Sequence, residues 1–437
     1  MSQPAEVVVV GGGIVGLCSA WYLQRAGWQV TVLDRGGMGA ACSHANCGLV
    51  CPSHVLPLAE PGAISAALKA LLKPASPFRI RPRLDPSLWA WLWSFARRCN
   101  QRSMLAAARG IQPLLESGMH EYRQWAERGE LECEWQSAGL LFVYQHAAEL
   151  EKYAATDRLL SEHFHEPAQK LSPQQALALE PALRETIAGG WYYPHDAHLR
   201  PDVLIASLRE QLLAAGVQLI EHCHVANMHG SGQHARQLET SRGEYTADAF
   251  VFACGAWSPQ LHALLGCGLP IQPGKGYSIT TPRPDVCPRI PLIFPEHRVA
   301  VTPMRSGYRL GSIMEFAGYD ESITPARLDL LRRGAAPYLR EPLGKPELET
   351  WYGWRPMTPD SLPIIDRTPR WGNAFMATGH NMLGLSMAPA TGKLIAELVS
   401  QQTPHLDPAP YRASRFRISH SASAPGFRNN PKPTHTG

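Results

Sequence analysis

Residues 6–34 read EVVVVGGGIVGLCSAWYLQRAGWQVTVLD, and this stretch decides the fold. The run AEVVVV at 5–10 is β-branched and apolar throughout, as a fully buried parallel strand requires. Gly11, Gly12 and Gly13 make a turn. Ile14 to Ala26 carries a helical pattern, with Gly27 placed to stop it. Gln29 to Leu33 is a second strand, and Asp34 ends it. Gly11-x-Gly13-x-x-Gly16, followed by an acid 23 residues after Gly11, is a pattern that holds a dinucleotide. The first glycine permits the tight turn, the second lets backbone approach a pyrophosphate, and the third lets helix and strand pack closely. Ile14 and Val15 open the helix, whose free N–H groups and positive dipole end suit phosphate. Asp34, with Arg35 beside it, lies where a carboxylate accepts bonds from ribose hydroxyls. This unit by itself does not separate FAD from NAD.

The chain of 437 residues is long enough for two interleaved domains. Hydrophobic residues at 45% and charged residues at 18% are ordinary for a soluble globular protein. The formal charge of +4 comes from the tail, where Arg412, Arg415, Arg417, Arg428 and Lys432 meet no acid. Without those five, 36 basic residues face 37 acidic ones, so no nucleic-acid partner is expected. The ten cysteines contain no C-x-x-C pair, which fits a reducing compartment. Cys42, Cys47 and Cys51 form C-x4-C-x3-C, a spacing of no common zinc or iron–sulfur site, and no metal is expected. The apolar run Val7 to Leu23 lacks a basic leader and is interrupted by glycines, so it is not read as a signal peptide. No other segment offers about 20 uninterrupted apolar residues, so no transmembrane helix is expected. A cytoplasmic location follows, with peripheral attachment to the inner face of the membrane as its variant.

Further along, residues 35–62 read as loop, Ala63 to Lys73 as a short amphipathic helix, and Leu88 to Arg98 and 104–128 as helices. Gly139 to Tyr144 reads as a strand, and Ala147 to His163 and Pro173 to Leu179 as helices. Residues 189–200 read as strand then loop, Asp202 to Ala215 as a helix, and Val217 to Ile220 and Ala249 to Ala253 as strands. Residues 276–315 suggest a second sheet, Ala374 to Thr378 a strand, and Pro389 to Ser400 the last helix. From about Arg417 the chain is rich in Ser, Pro, Asn and His and reads as a disordered tail.

Three further stretches carry more specific information: DAFVFACGAWS (248–258), WYGWRPMTPDSLPIIDR (351–367) and GHNMLGLSMAPATGKLIAEL (379–398). Together with the opening unit they resemble the D-amino acid oxidase-like superfamily of FAD enzymes, and most closely bacterial D-amino acid and D-hydroxyproline dehydrogenases. The resemblance runs from about Val7 to Phe416 and is weakest over 60–185. It implies a mixed α/β fold, a Rossmann-like FAD-binding domain interleaved with a substrate domain on a mostly antiparallel sheet. The FAD-binding domain would comprise 1–60, 190–260 and 352–411, the substrate domain 61–189 and 261–351, and the tail 412–437. Gly11, Gly13, Gly16 and Asp34 would hold the ADP half of non-covalent FAD. Ser43, Ala45, Asn46 and Gly48 match the family's second loop, beside pyrophosphate and flavin, although His44 and Cys47 depart from many relatives. Val225 would meet the adenine, Gly255 the flavin side, and Gly379, His380, Leu383 and Gly384 the ribityl chain and pyrimidine edge.

Arg355 of the G-x-R-P pattern would grip a substrate carboxylate, since a guanidinium presents a planar fork that matches one bidentately. The competing reading is a structural salt bridge with Asp360 or Asp366. Tyr277 is either a pocket-lining phenol or core, and His54, Tyr352, Glu315 and His380 are further candidates. The expected reaction is FAD-dependent dehydrogenation of a D-amino acid or cyclic imino acid such as D-proline, hydroxyproline or D-alanine, with no dedicated acid or base. The alternatives are an oxygen-using oxidase of glycine or secondary amines and a nucleotide-binding protein without turnover. The expected electron acceptor is a quinone or an electron-transfer partner. Residues 62–98 set Lys69, Lys73, Arg79, Arg81, Arg83, Arg97 and Arg98 against one acid, Asp85, with Trp89, Trp91 and Trp93 interleaved. That composition reads either as a membrane-surface patch or as a helical lid.

Overall fold

The computed structural model describes residues 4–71 and 76–416. The opening stretch folds as the sequence dictates, into strand Glu6–Val10, helix Ile14–Arg25 and strand Gln29–Leu33. The two strands sit centrally in a six-stranded sheet whose spatial order is Ile364–Arg367, Ala374–Thr378, Ala249–Phe252, Glu6–Val10, Gln29–Leu33 and Gln218–Ile220. All neighbours are parallel except Ile364–Arg367, which returns antiparallel. Val7, Val9, Val30, Val32 and Val251 are buried against the Ile14–Arg25 helix and the final helix, so one core joins sheet and helices.

That final helix is longer than the sequence suggests, running from Gly384 to Val399 through Pro389. Proline has no N–H for the carbonyl four residues back, here Leu385. The Tyr122 hydroxyl donates to the Leu385 carbonyl instead, at 2.9 Å, which lets the helix continue past the proline. The helix expected over 147–163 is two, Ala147–Lys152 and Ala154–Phe164. The long helix begins earlier than expected, at Gln101, where the Asn100 side chain accepts from the Ser103 N–H.

The second sheet has nine strands. Across it lie Glu349–Met357, Gln272–Thr281, Gly307–Phe316, Val299–Met304, Leu292–Phe294, Leu140–Tyr144, Gly189–Tyr193 and Gln169–Leu171, with Phe78–Ile80 added alongside Gly307–Phe316. Most neighbours are antiparallel; Leu292–Phe294 with Leu140–Tyr144 and Gly307–Phe316 with Phe78–Ile80 are the parallel pairs. Strands Gly189–Tyr193 and Glu349–Met357 belong to this sheet, so domain boundaries drawn at 190 and 352 fall inside strands. A three-stranded meander, Val225–Ser231, His234–Thr240 and Gly243–Thr246, follows the six-stranded sheet's outer strand.

Within the loop of 35–62, Leu49–Val50 pairs with Ala197–His198. Helix Ala63–Leu71 covers the described part of the expected Ala63–Lys73, whose last two residues lie outside the described ones. The tail from Arg417 also lies outside them, but residues 412–416 are docked: Phe416 is buried and Arg415 pairs with Asp360 at 2.8 Å.

Candidate functional site

The glycine loop meets three different demands. Gly11 has φ +109°, a left-handed-side conformation that favours glycine, and a Cβ there would strike the Ala253 backbone of the neighbouring strand. A Cβ on Gly16 would strike the Gly11 carbonyl. Gly13 differs: a Cβ would meet only the Ser43 Oγ, at an ordinary 3.4 Å. No protein neighbour therefore requires glycine at position 13, and the missing side chain leaves space over the helix end. The Ile14 N–H there donates to the Ser43 Oγ at 3.0 Å. The Asp34 carboxylate accepts from the Gly12 N–H at 2.6 Å and from the Gly36 N–H at 2.7 Å, which fixes it at the end of its strand. The Arg35 guanidinium stacks over Trp257 at 4.0 Å. Val225 is buried at the start of the meander, one strand beyond Asp34, where His222 and Cys223 donate to the Gly36 and Asp34 carbonyls.

The loop carrying Ser43, Ala45, Asn46 and Gly48 crosses from this sheet onto the other. The Ala45 carbonyl accepts from Ser278, the Asn46 carbonyl from the buried Arg309, and the Cys47 carbonyl from Thr302. Asn46 closes its own turn on the Gly48 N–H. On the far side, Leu383 precedes the first turn of the final helix at Gly384. The Ser386 hydroxyl in that turn donates to Leu49 and accepts from the Cys51 N–H. Gly255 and Gly379 both have positive φ, +51° and +78°. The His380 ring is buried and meets the Thr391 hydroxyl at 3.0 Å, and burial pushes its pKa down to about 3. Asn381, not singled out in the sequence, ties this turn to Thr358 and Pro356.

Strand alternation decides what surrounds Arg355. Register pairs Gly274 with Arg355, Gly276 with Gly353 and Tyr277 with Tyr352. Side chains alternate between faces with a period of two. Gly274, Gly276, Gly353 and Arg355 therefore share the face that carries the Cys42–Gly48 loop. A Cβ on Gly276 would strike the Arg355 guanidinium, and one on Gly311 would strike Cys47. The arginine thus lies across Gly276, among glycines that make room for Arg355, Cys47, the Trp351 ring, Met314 and Met357. Its Nη1 donates to the Ile313 carbonyl at 2.8 Å, and Nη2 lies 3.5 Å from the Ser312 carbonyl. Ser312 and Ile313 both have positive φ, and this distortion of the strand turns their carbonyls towards the guanidinium.

Arg355 has no carboxylate partner among the described residues. Asp360 is taken by Arg415, and Asp366 accepts from the Ala413 N–H at 2.9 Å. The structural salt bridge considered from sequence is therefore not formed. Tyr277 and Tyr352 are corrected. They lie on the opposite face of the sheet from Arg355: Tyr277 is buried in the core there, and Tyr352 is half-buried at its edge beside Trp354. There the Tyr277 hydroxyl donates to the buried Glu315 at 2.8 Å, with Arg81 and Arg327 at 3.4 and 3.5 Å from that carboxylate.

His54 lies on the arginine's side of the sheet. Its ring packs 5.8 Å from that of Phe142, and Phe142 points away from the core that holds Leu141 and Val143. Cys42, Cys47 and Cys51 do not gather among the described residues. Cys51 instead meets His54 and the buried Asp196, with their polar atoms within 4.8 Å of one another. Nothing in the sequence pointed to Asp196, which stands 142 residues from His54.

A dinucleotide loop on a mostly parallel sheet, and a second, mostly antiparallel sheet carrying an arginine with no acidic partner among the described residues, match a flavin-dependent oxidoreductase. The family model described as FAD dependent oxidoreductase (DAO) matches residues 6–398, and the chain belongs to that family. It is similar to the D-amino acid dehydrogenase of Methylobacterium radiotolerans, 34% identical over 92% of this chain and 97% of the relative. The D-amino acid dehydrogenase of Bradyrhizobium diazoefficiens is 31% identical over 94% of this chain and 99% of the relative. Among solved structures, glycine oxidase from Geobacillus kaustophilus superposes with TM-score 0.72 at 23% identity, covering 94% of this chain and 99% of that one, a likeness of fold.

Proposed function

We propose that the enzyme oxidises a D-amino acid or a cyclic D-imino acid of the proline, hydroxyproline or alanine type. The observation that carries this reading is Arg355, a part-buried guanidinium with no acidic partner among the described residues, lying across Gly276. Such a group binds a carboxylate bidentately. The relatives' names supply the D configuration.

The residues present fit FAD. The space left by Gly13, the Ser43 loop and Asp34 would hold the ADP half, with Arg35 and Val225 flanking it. Ala45, Asn46, Gly48, Gly255, Gly379, the His380 backbone, Leu383 and Gly384 would line the flavin half. When bound, FAD supplies the ring that accepts hydride from the substrate Cα. Arg355 would fix the carboxylate and so orient the substrate Cα. The imino acid formed hydrolyses once released.

Anaerobic bleaching of the flavin across D- and L-amino acids, cyclic imino acids and N-methyl amino acids tests the reading. Bleaching should favour D substrates, and Arg355→Ala should weaken apparent affinity by on the order of a hundredfold, about two charge-assisted hydrogen bonds. No bleaching by any D-amino or D-imino acid would refute it, as would unchanged affinity in Arg355→Ala. Repetition in air separates an oxygen-using oxidase of glycine or secondary amines from a dehydrogenase.

For the acceptor, a quinone or electron-transfer partner reached at a membrane surface is proposed. Ile64, Leu68, Leu71, Leu84, Trp89 and Trp93 are exposed, and they are six of the ten exposed large hydrophobic side chains described. Only Trp91 of the three tryptophans packs inward. Lys69, Arg79 and Arg97 beside them have no acidic partner among the described residues, whereas Arg81 and Arg83 are held by Asp320 and Asp85. An apolar stripe with free cations suits an anionic lipid surface. No helix among the described residues is long and apolar enough to cross a membrane.

A further inference from the structure

The strand of Arg355, Glu349–Met357, lies in the nine-stranded sheet. The chain then crosses through residues 358–363 to Ile364–Arg367, the antiparallel strand of the six-stranded sheet. Next to that strand, Ala374–Thr378 ends in the turn that leads to the final helix at Gly384. Crossover and turn meet at two buried residues, Thr358 and Asn381.

Four hydrogen bonds centre on Asn381. Its N–H donates to the Pro356 carbonyl at 3.1 Å. Its Oδ1 accepts from the Thr358 N–H at 3.0 Å. Its Nδ2 donates to Thr358 Oγ1 at 2.9 Å and to the Gly379 carbonyl at 2.8 Å. The Thr358 hydroxyl donates to the Leu362 carbonyl at 2.9 Å, so towards Asn381 it is an acceptor. The amide thus faces two acceptors with its nitrogen and one donor with its oxygen, and every polar group in the contact is satisfied. Aspartate would lack the two N–H donors.

The backbone is shaped for the same contact. Asn381 has φ +53°, in the left-handed region that asparagine enters more readily than most residues with a side chain. Gly379 has φ +78°, and a Cβ there would stand 2.6 Å from Thr358 Cγ2. Two residues of one turn therefore hold restricted backbone conformations so that the turn can lie against Thr358.

This contact joins the two halves of the site. Pro356 follows Arg355 directly, so the bond to its carbonyl holds the peptide next to the arginine. Gly379, Leu383 and Gly384, on the other side of the contact, are residues given above to the flavin half. The 43–48 loop also ties the sheets, but its bonds end on Ser278, Thr302, Arg309 and, through His44, on Glu349 at the opposite end of the arginine's strand. At the Arg355 end, Asn381 pins the crossover at its first residue.

We propose that Asn381, with Thr358 as its partner, is a positioning residue that sets where a substrate held by Arg355 stands relative to the flavin. This rests on the amino-acid and FAD reading above. The grip on the carboxylate belongs to the nine-stranded sheet and moves with it. The distance from the substrate Cα to the flavin is a distance between the two sheets, and the Asn381 contact holds that distance. Hydride transfer needs the reacting atoms about 3–3.5 Å apart and aligned. Loosening the contact therefore slows the chemical step more than it weakens binding.

Anaerobic stopped-flow bleaching of the flavin-loaded protein over a range of concentrations of the wild type's best substrate tests this, since it gives a limiting rate and an apparent Kd separately. Asn381→Gly keeps the left-handed backbone and its N–H but loses the amide. Thr358→Val loses the hydroxyl and keeps the size, while Thr358→Ser keeps the hydroxyl. Limiting rates of Asn381→Gly and Thr358→Val should fall by about tenfold to a hundredfold, the latter being the cost of a 1 Å misplacement. Their apparent Kd should stay within about threefold of wild type, and Thr358→Ser should match wild type in both. The visible circular dichroism of the bound flavin, read without substrate, should change in the two slow variants and not in Thr358→Ser. Limiting rates within about threefold of wild type in both variants, losses carried equally by Kd and rate, unchanged dichroism, or a Thr358→Ser as slow as Thr358→Val would each overturn the positioning role. Flavin content checks folding, and Thr358→Val keeps the test open if Asn381→Gly does not load flavin. Wild type that no amino or imino acid bleaches refutes the substrate reading and the positioning role with it; bleaching that the variants leave unchanged refutes the positioning role alone.

Discussion

Gly276→Ala is a small change with a calculable effect. The built Cβ lies 2.5 Å from Arg355 Cζ. Carbon atoms rest at about 3.5 Å, so the guanidinium must retreat by about 1 Å. Its bond to the Ile313 carbonyl, now 2.8 Å, would stretch to about 3.8 Å, outside hydrogen-bond reach. The backbone at Gly276 has no positive φ, so alanine adds no strain of its own. The glycine loop is untouched and flavin content should equal that of the wild type. A misplacement of 1 Å costs roughly a hundredfold in rate, or about 2.7 kcal/mol of barrier. Anaerobic stopped-flow bleaching reads it directly. Gly268→Ala, whose Cβ would meet nothing within 4 Å, is the control and should match wild type. If Gly276→Ala bleaches within threefold of wild type, Arg355 does not position the substrate from this place.

Gly16→Ala, whose Cβ strikes the Gly11 carbonyl, should give protein without the 1:1 flavin absorbance of the wild type; full flavin occupancy would contradict the close-packing role. Trp89→Ser with Trp93→Ser should abolish co-sedimentation with vesicles rich in anionic lipid and leave bleaching rates unchanged, while equal sedimentation would make this region a lid. Asp196 is raised by burial to about 7, so the native state favours its protonated form. Stability from this group is full below its unfolded value near 4 and is lost as pH rises through about 7, by at most about 4 kcal/mol. Denaturant midpoints of Asp196→Asn should therefore fall less between pH 4 and 8 than those of wild type; parallel curves would contradict the shift.

The dinucleotide unit was legible because its requirements are local: a turn, a helix start and an acid within one strand length. The final helix was misread at its start because Pro389 looks like a first-turn residue, and only Tyr122, from another helix, supplies the missing donor to Leu385. The meander at 225–246 was missed because most of its residues are exposed and carry no apolar alternation. Arg355 was singled out by its motif, and Tyr277 and Tyr352 were grouped with it because sequence does not state on which face a strand begins. Register answers that at once. The Cys51–His54–Asp196 group was illegible for another reason. Its members come from two loops that meet only when Leu49–Val50 pairs with Ala197–His198.

The glycines around Arg355 have a consequence for engineering. The space each one frees is already taken, by Arg355 itself over Gly276, Cys47 over Gly311, the Trp351 ring over Gly353, and Met314 and Met357 over Gly274. The wall beside the arginine is therefore a set of interlocked side chains seated on bare backbone, and a methyl group added at any of the four glycines moves that wall before it meets any substrate.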